Sequence, residues 1–500
     1  MTKYDAVVIG AGNGGLTAAA LMAQKGLNVM LLERHNVPGG AATTFCRGRF
    51  EFEVALHQLS GLGTPEKPGP LRMLLDKLSV TRELEFVEMN ELYSVYMPDG
   101  FKVTLPPDLK LTAETLAEKF PKEKDNIHAF FQMVEQYSAD MLGALIFRDP
   151  EASREKYPRL YKYALRNVKD VLDEFFTDAR LKAILSAYWG YLGVSPKRLA
   201  FAYVAMIFFA YAEFKPFHIK GGSQALSNAF FKKFLQAGGT ARFNCSAERI
   251  LVKDNQVQGV VTSDGDTLFT NNVVSNASQV LTYLKMIEPG LVQPETLAEM
   301  NGRNIATSAF TLYAGFDCEP QEMGITQPTN FLIKSTDIED GPTKGMHTLG
   351  FDDELFVMSC YDVAVPDFSP PGTCQANIVT LKFGDQWLRV PPHQYHRTKF
   401  ECAETVLQRV EEIFPKIRAH IEEIEVATPL THMRYLGTPL GSVYGFEHQT
   451  KDSLFFQPDR RSSINGLFFA GGWVGDAGFQ PTIEAGAAAG KAVVRNLSAA

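Results

Sequence analysis

The chain has 500 residues, 45% of them hydrophobic and 21% charged, with a formal net charge of -8. That length points to more than one domain and that balance to a globular protein, while the acidic excess argues against a nucleic-acid partner, whose phosphates need basic side chains. Six scattered cysteines without a CxxC pair suit reduced thiols in a cytoplasmic protein, and no signal peptide or membrane-spanning apolar run is read.

In chain order, Tyr4 to Ile9 reads as a short buried strand, residues 10–15 as a glycine-rich turn, Leu16 to Lys25 as a helix and Asn28 to Leu32 as a second buried strand. This strand–turn–helix–strand unit builds parallel sheets. Residues 65–70 read as a loop. Residues 110–218 are mainly helical by pattern. Gly221-Gly222-Ser223 opens a helix to Gln236, with Ser223 as its expected cap. Ala247 to Val252, Val257 to Thr262 and Thr267 to Val274 read as strands, with turns at 254–255 and 264–265. From 305 to 450 short strands surround one clear helix, Tyr395 to Phe414. The last segment, 466–490, returns to strand, glycine loop and helix.

The strongest chemical signal is Gly10, Gly12 and Gly15 after a strand, with Glu33 closing the next strand. Gly10 permits the tight turn, Gly12 lets backbone approach a pyrophosphate, and Gly15 lets the helix pack close to the strand. The helix N-terminus offers N–H groups to phosphate, and Glu33 is placed to accept from an adenosine ribose. A second glycine pair, Gly39-Gly40, follows at once and suits a ligand that runs on past its pyrophosphate, as FAD does. At the other end, residues 466–472 form a strand running into glycines, and 478–486 open a helix whose N-terminus could stabilise negative charge on a reduced flavin.

Residues 10–15, Glu33 with Pro38-Gly39-Gly40, Phe50-Glu51-Phe52-Glu53, the segment 221–226 (Gly-Gly-Ser-Gln-Ala-Leu) and the closing 466–490 resemble the phytoene desaturase family, which includes carotenoid desaturases, carotenoid isomerases and retinol saturases. The resemblance spans the chain. It implies an α/β fold: a discontinuous, Rossmann-like FAD-binding domain of the glutathione-reductase and amine-oxidase type, with an inserted mixed α+β substrate domain. The FAD domain would comprise 1–75, 218–300 and 455–500; the substrate domain would comprise 76–217 and 301–454, with a helical part suited to facing a membrane. The resemblance further implies non-covalent FAD held by Gly10, Gly12, Asn13, Gly14, Gly15, Glu33, Arg34, Gly39, Gly40, Ala41, Ala247 and Asn276, with Gly471, Asp476, Pro481, Thr482 and Ile483 lining its flavin end. The chain departs from the family where an acid often follows the glycine matching Gly471: here it is Gly472, and Asp476 comes later. Thr482-Ile483-Glu484-Ala485-Gly486 is closer in style to amine oxidases. His57, in the loop after the Phe-Glu-Phe-Glu strand, matches a histidine of the retinol-saturase-like branch. Free histidine titrates near neutrality, so His57 is the candidate catalytic proton donor or acceptor, with a non-chemical hydrogen-bonding role as its alternative.

Leu199 to Ala212 is an unbroken apolar run, too short to span a bilayer; it reads as a buried helix that could also wall a cavity. His393 and His396 read as a solvated helix entry, since no further ligand completes a metal set. The expected activity is FAD-dependent desaturation, saturation or cis–trans isomerisation at C=C or CH–CH bonds of a long hydrophobic polyene or isoprenoid. The alternatives are a flavin amine oxidase and a non-catalytic, FAD-bound pigment carrier. The expected partner is a hydrophobic small molecule; peripheral membrane contact is compatible with this, and no motif speaks to oligomeric state.

Overall fold

The computed structural model describes residues 3–146, 149–339, 341–351, 354–452, 462–474 and 478–499. Its first strand, Ala6–Ile9, is fully apolar and buried, and lies at the centre of a parallel five-stranded sheet. The order across that sheet is Leu467–Phe469, Val273–Ser275, Ala6–Ile9, Val29–Leu32 and Thr240–Arg242. Alternate side chains leave opposite faces. Ala6, Val8, Val29 and Leu31 pack under the helices Asn13–Gln24, Gly222–Gln236 and Phe479–Ala499, while Val7, Ile9, Met30 and Leu32 meet a three-stranded antiparallel sheet. That second sheet is Ala247–Lys253, Gln256–Thr262 and Thr267–Phe269. One sequence expectation is corrected here. Thr267 to Val274 is not one strand, because the chain breaks at residues 270–272 and passes from the antiparallel sheet into the parallel one.

A seven-stranded mixed sheet forms the second layer. Its order is Ile421–Ala427, Ser308–Phe316, Cys374–Lys382, Phe356–Cys360, Thr329–Leu332, Tyr93–Tyr96 and Lys102–Leu105. One face, with Phe310, Leu312, Phe356, Met358 and Ile378, packs on the helix Tyr395–Glu411. The opposite face turns toward the parallel-sheet unit and toward helices that include Lys124–Met141 and Phe201–Phe214. Paired residues across adjacent strands share a face. The register therefore sets Glu425, Tyr313, Asn377, Ser359 and Thr329 side by side as a polar row. An apolar row, Ala427, Thr311, Val379, Val357 and Phe331, runs beside it on the same face, with Thr311 its one hydroxyl.

The apolar run at 199–212 forms the helix Phe201–Phe214, whose one side is core and whose Met206, Ile207 and Ala210 wall a cavity. No helix among the described residues is long and apolar enough to cross a membrane.

Candidate functional site

A single cavity of about 1850 Å³ opens between the parallel sheet and the seven-stranded sheet. Sites for one small ligand hold roughly 300–1,000 Å³, so this one has room for an extended cofactor and a second long molecule. Its floor is the glycine turn. Gly10, Gly12 and Asn13 border it, and across from them stand Gly39, Gly40, Ala41 and Ala42. Gly12 and Gly39 pair as an isolated bridge, with the Gly39 N–H donating to the Ala11 carbonyl at 2.8 Å. The helix Asn13–Gln24 starts with no side-chain cap, leaving its first N–H groups available at the groove.

Glu33 sits at the groove as expected. One carboxylate oxygen accepts from the Ala11 N–H at 2.7 Å and the other from the His35 N–H at 2.8 Å, so the acid also braces the turn it faces. Ala247, Asn276, Gly471, Pro481 and Thr482 border the same cavity. Asn276 is wedged among the glycines, and its Oδ1 is buried with no donor. An orphaned acceptor beside a bare helix N-terminus fits a polar ligand seated there. A dinucleotide-sized cofactor thus matches the residues present.

Four of the expected contacts take other roles. A Cβ on Gly15 would lie 2.0 Å from the Gly10 carbonyl, so Gly15 serves helix–strand packing, and it does not border the cavity. Gly14 likewise backs onto the last helix: a Cβ on Gly486 would lie 2.1 Å from the Gly14 carbonyl. Ile483 is fully buried in the apolar core under the parallel sheet, between Thr482 and Glu484, which face the groove. Arg34 borders the cavity, but its guanidinium donates to the carbonyls of Arg434 and Tyr435 at 2.6 and 2.7 Å, closing the C-terminal end of the helix Pro429–Leu436. Asp476 lies outside the described residues.

The loop carrying His57 is held by a buried acid. Glu53 Oε1 accepts from the N–H groups of Ala55 and Leu56, both at 2.9 Å, and from the Ser223 hydroxyl at 2.7 Å; Oε2 accepts from the Ser223 N–H at 2.6 Å. Burial pushes the Glu53 pKa up against the pull of these bonds. The helix Gly222–Gln236 is therefore capped by a carboxylate from far along the chain. Ser223 is not its cap, since the helix begins after Gly221 with no side-chain cap of its own.

His57 lies on the cavity wall. Its Nδ1 is 2.9 Å from the Ser359 hydroxyl, and its ring stacks on Tyr191 with centroids 5.6 Å apart. The expectation of a near-neutral pKa is corrected: loss of water around the ring lowers it to about 4, so the imidazole is neutral at physiological pH. Around it the wall is apolar and aromatic, with Met141, Leu145, Tyr191, Leu192, Met206 and Ile207.

Sequence reasoning missed Ser359, Tyr191 and the wall formed by residues 430–445. None lies in a glycine motif; each is brought in by sheet register or by helix packing.

Residues 14–497 match the family described as flavin containing amine oxidoreductase. The all-trans-retinol 13,14-reductase of Danio rerio is 24% identical over 477 residues, covering 89% of this chain and 78% of the relative. The chloroplastic prolycopene isomerase of Daucus carota is 24% identical over 488 residues, covering 94% and 76%. Among solved structures, an oxidoreductase from Methanosarcina mazei superposes with a TM-score of 0.66 at 18% identity, covering 99% of both chains.

Proposed function

The chain belongs to the flavin containing amine oxidoreductases and is an FAD-dependent oxidoreductase, and within that family we propose that it acts on a carbon–carbon double bond or CH–CH unit of a long apolar polyene or isoprenoid. The observation that carries this reading is that the glycine groove and the apolar, aromatic wall belong to one continuous cavity. The retinol and prolycopene names of its relatives support the same substrate class. In this reading residues 1–75, 218–300 and 455–500 form the cofactor unit, and 76–217 with 301–454 the substrate unit.

FAD supplies the exchange of a hydride with carbon when bound. Gly10, Gly12, Asn13, Gly39, Gly40 and Ala41 would hold its pyrophosphate run, with Glu33 and Ala247 at the adenosine and Gly471, Pro481 and Thr482 toward the ring. The chain's own contribution is to exclude water and align the substrate. Met141, Leu145, Met206 and Ile207 exclude water along an extended hydrocarbon, and Tyr191 offers its ring face beside His57. His57 is a neutral imidazole there, able to donate or accept one hydrogen bond at Nε2, which has no protein partner among the described residues.

An amine substrate is less well served. A cationic amine seeks a carboxylate, yet the acids on the cavity wall are engaged: Glu33 by two backbone N–H groups, Glu248 by Ser246, Glu425 by Arg47 and Lys399, and Glu484 by Gln480.

The test is anaerobic. Purified yellow protein, oxidised and reduced, is mixed with polyenes and separately with aliphatic diamines, and the flavin spectrum and product mass are followed. A gain or loss of two hydrogens on the polyene, or isomerisation without mass change, supports the reading. Reduction by amines alone, or no response to any polyene, refutes it.

A further inference from the structure

We infer that Asp317, Cys318 and His420 form a zinc(II) site at one end of the seven-stranded sheet, where the metal staples the edge strand Ile421–Ala427 to its neighbour Ser308–Phe316. None of the three residues borders the cofactor cavity, and the inference does not depend on the polyene reading.

The register brings the three together. Phe316 pairs with Ile421 on the last rung of the two antiparallel strands, so Asp317 and His420 leave the sheet side by side. The Asp317 N–H donates to the His420 carbonyl at 3.0 Å and ties one backbone to the other. His420 Nδ1 lies 2.8 Å from Asp317 Oδ1. Cys318 follows with its side chain in the core that the sheet shares with the helix Tyr395–Glu411, and it is 4% exposed. A carboxylate oxygen, a sulfur and an imidazole nitrogen, one from each residue, all lie within 4.8 Å of one another. Zinc bonds of about 2.0–2.3 Å set tetrahedral ligand atoms roughly 3.3–3.8 Å apart, so side-chain shifts on the order of 1 Å close the set. The thiol is the floor of the site. The acid and the imidazole are its rim, 56% and 31% exposed, which leaves the ion a way in.

The donor set selects the metal. Oxygen, nitrogen and sulfur together suit zinc, whereas calcium and magnesium take oxygen ligands. Three protein ligands leave the fourth position to water. The surrounding charge has the matching sign, since Asp317, Glu319 and Glu322 all act on the thiol. Arg49 also feels Asp317, but its guanidinium is held by Glu422 at 2.9 and 2.5 Å. Zinc takes the thiolate, so the Cys318 proton passes to the buffer, and the imidazole keeps its own proton on Nε2.

Cobalt(II) is the spectroscopic probe, because its d–d bands lie at longer wavelength than flavin absorption. Reduced holoenzyme, stripped of metal by a chelator, is titrated with cobalt(II) and then with zinc(II). Wild type should take one cobalt per chain with the intense d–d bands of a tetrahedral, thiolate-bound ion. Zinc should abolish them, and an excess of magnesium or calcium should not. Cys318→Ser should lose the thiolate signature. His420→Ala, at the rim, should weaken zinc binding at least tenfold, since removing even a group that only orients a metal ligand costs about 10–100-fold. Cys46→Ser, which removes the exposed thiol, should change nothing. Zinc should raise the urea midpoint of wild type and leave that of His420→Ala in place. Absence of the bands in wild type overturns the inference. So do bands of undiminished strength and affinity in His420→Ala, which put the ion elsewhere, and a wild-type midpoint that zinc does not move. If Cys318→Ser does not fold, the His420→Ala and Asp317→Asn titrations decide in its place.

Discussion

Replacing Glu53 by alanine should destabilise the protein severely. The carboxylate accepts three N–H groups and one hydroxyl, with heavy-atom distances between 2.6 and 2.9 Å; the donors on Leu56 and Ser223 belong to fully buried residues, while Ala55 is half-buried. A buried donor stripped of its acceptor costs about 1–3 kcal/mol, so the three on Leu56 and Ser223 set a gross loss of roughly 3–9 kcal/mol. Against this stands relief from burying the carboxylate, whose raised pKa shows that its desolvation is only partly offset. The net expectation is a loss of about 3–5 kcal/mol, as when one partner of a buried charged network is removed. Urea unfolding followed by far-UV circular dichroism and by tryptophan fluorescence measures it. With a slope of about 3 kcal/mol/M or more for a chain of this size, the midpoint should fall by on the order of 1 M. Ser223→Ala, which removes only the hydroxyl, should cost about 1 kcal/mol. A Glu53→Ala midpoint within the error of wild type would refute the claim that this acid holds both the His57 loop and the helix after Gly221.

His218 is buried, and its pKa is lowered to about 4 by desolvation. The unfolded chain takes up a proton near pH 6.5 and the native one does not, so stability should drain away as pH falls from about 6.5 to 4, by up to ~3 kcal/mol from this group. His218→Gln should flatten that acid limb in urea midpoints measured at pH 7 and 4.5. Gly486→Ala drives a methyl to within 2.1 Å of the Gly14 carbonyl and should cut the flavin content of purified protein sharply, whereas Gly490→Ala, with 3.1 Å to the Ala18 carbonyl, should be milder; absorbance ratios at 450 and 280 nm, on the order of tenfold apart for a lost and a retained cofactor, separate the two. Lys382→Met strips the buried Glu354 of the ammonium 2.6 Å away and should cost about 3–5 kcal/mol in thermal or urea unfolding.

The opening and closing segments of the parallel-sheet unit were legible in the sequence because their signals are local. A short apolar run, a glycine turn and a helix pattern at 6–24 and again at 467–499 need no knowledge of the rest of the chain. Glu33 could be placed because it lies one strand away. What could not be read depends on partners distant in sequence. The helix after Gly221 takes its cap from Glu53, 170 residues earlier. Arg34 meets a helix end 400 residues later, so its role in the cofactor groove was read without the partner that occupies it. The polar row beneath His57 exists only through the register of five strands. The histidine's lowered pKa follows from surroundings that no motif announces.

The sheet order carries a consequence for biosynthesis. Among the described residues the strand Leu467–Phe469 pairs with Val273–Ser275 alone, and the helix Phe479–Ala499 lies against the first helix of the chain. A nascent polypeptide therefore holds an incomplete groove until the segment 467–499 has left the ribosome, however early the first glycine turn emerges.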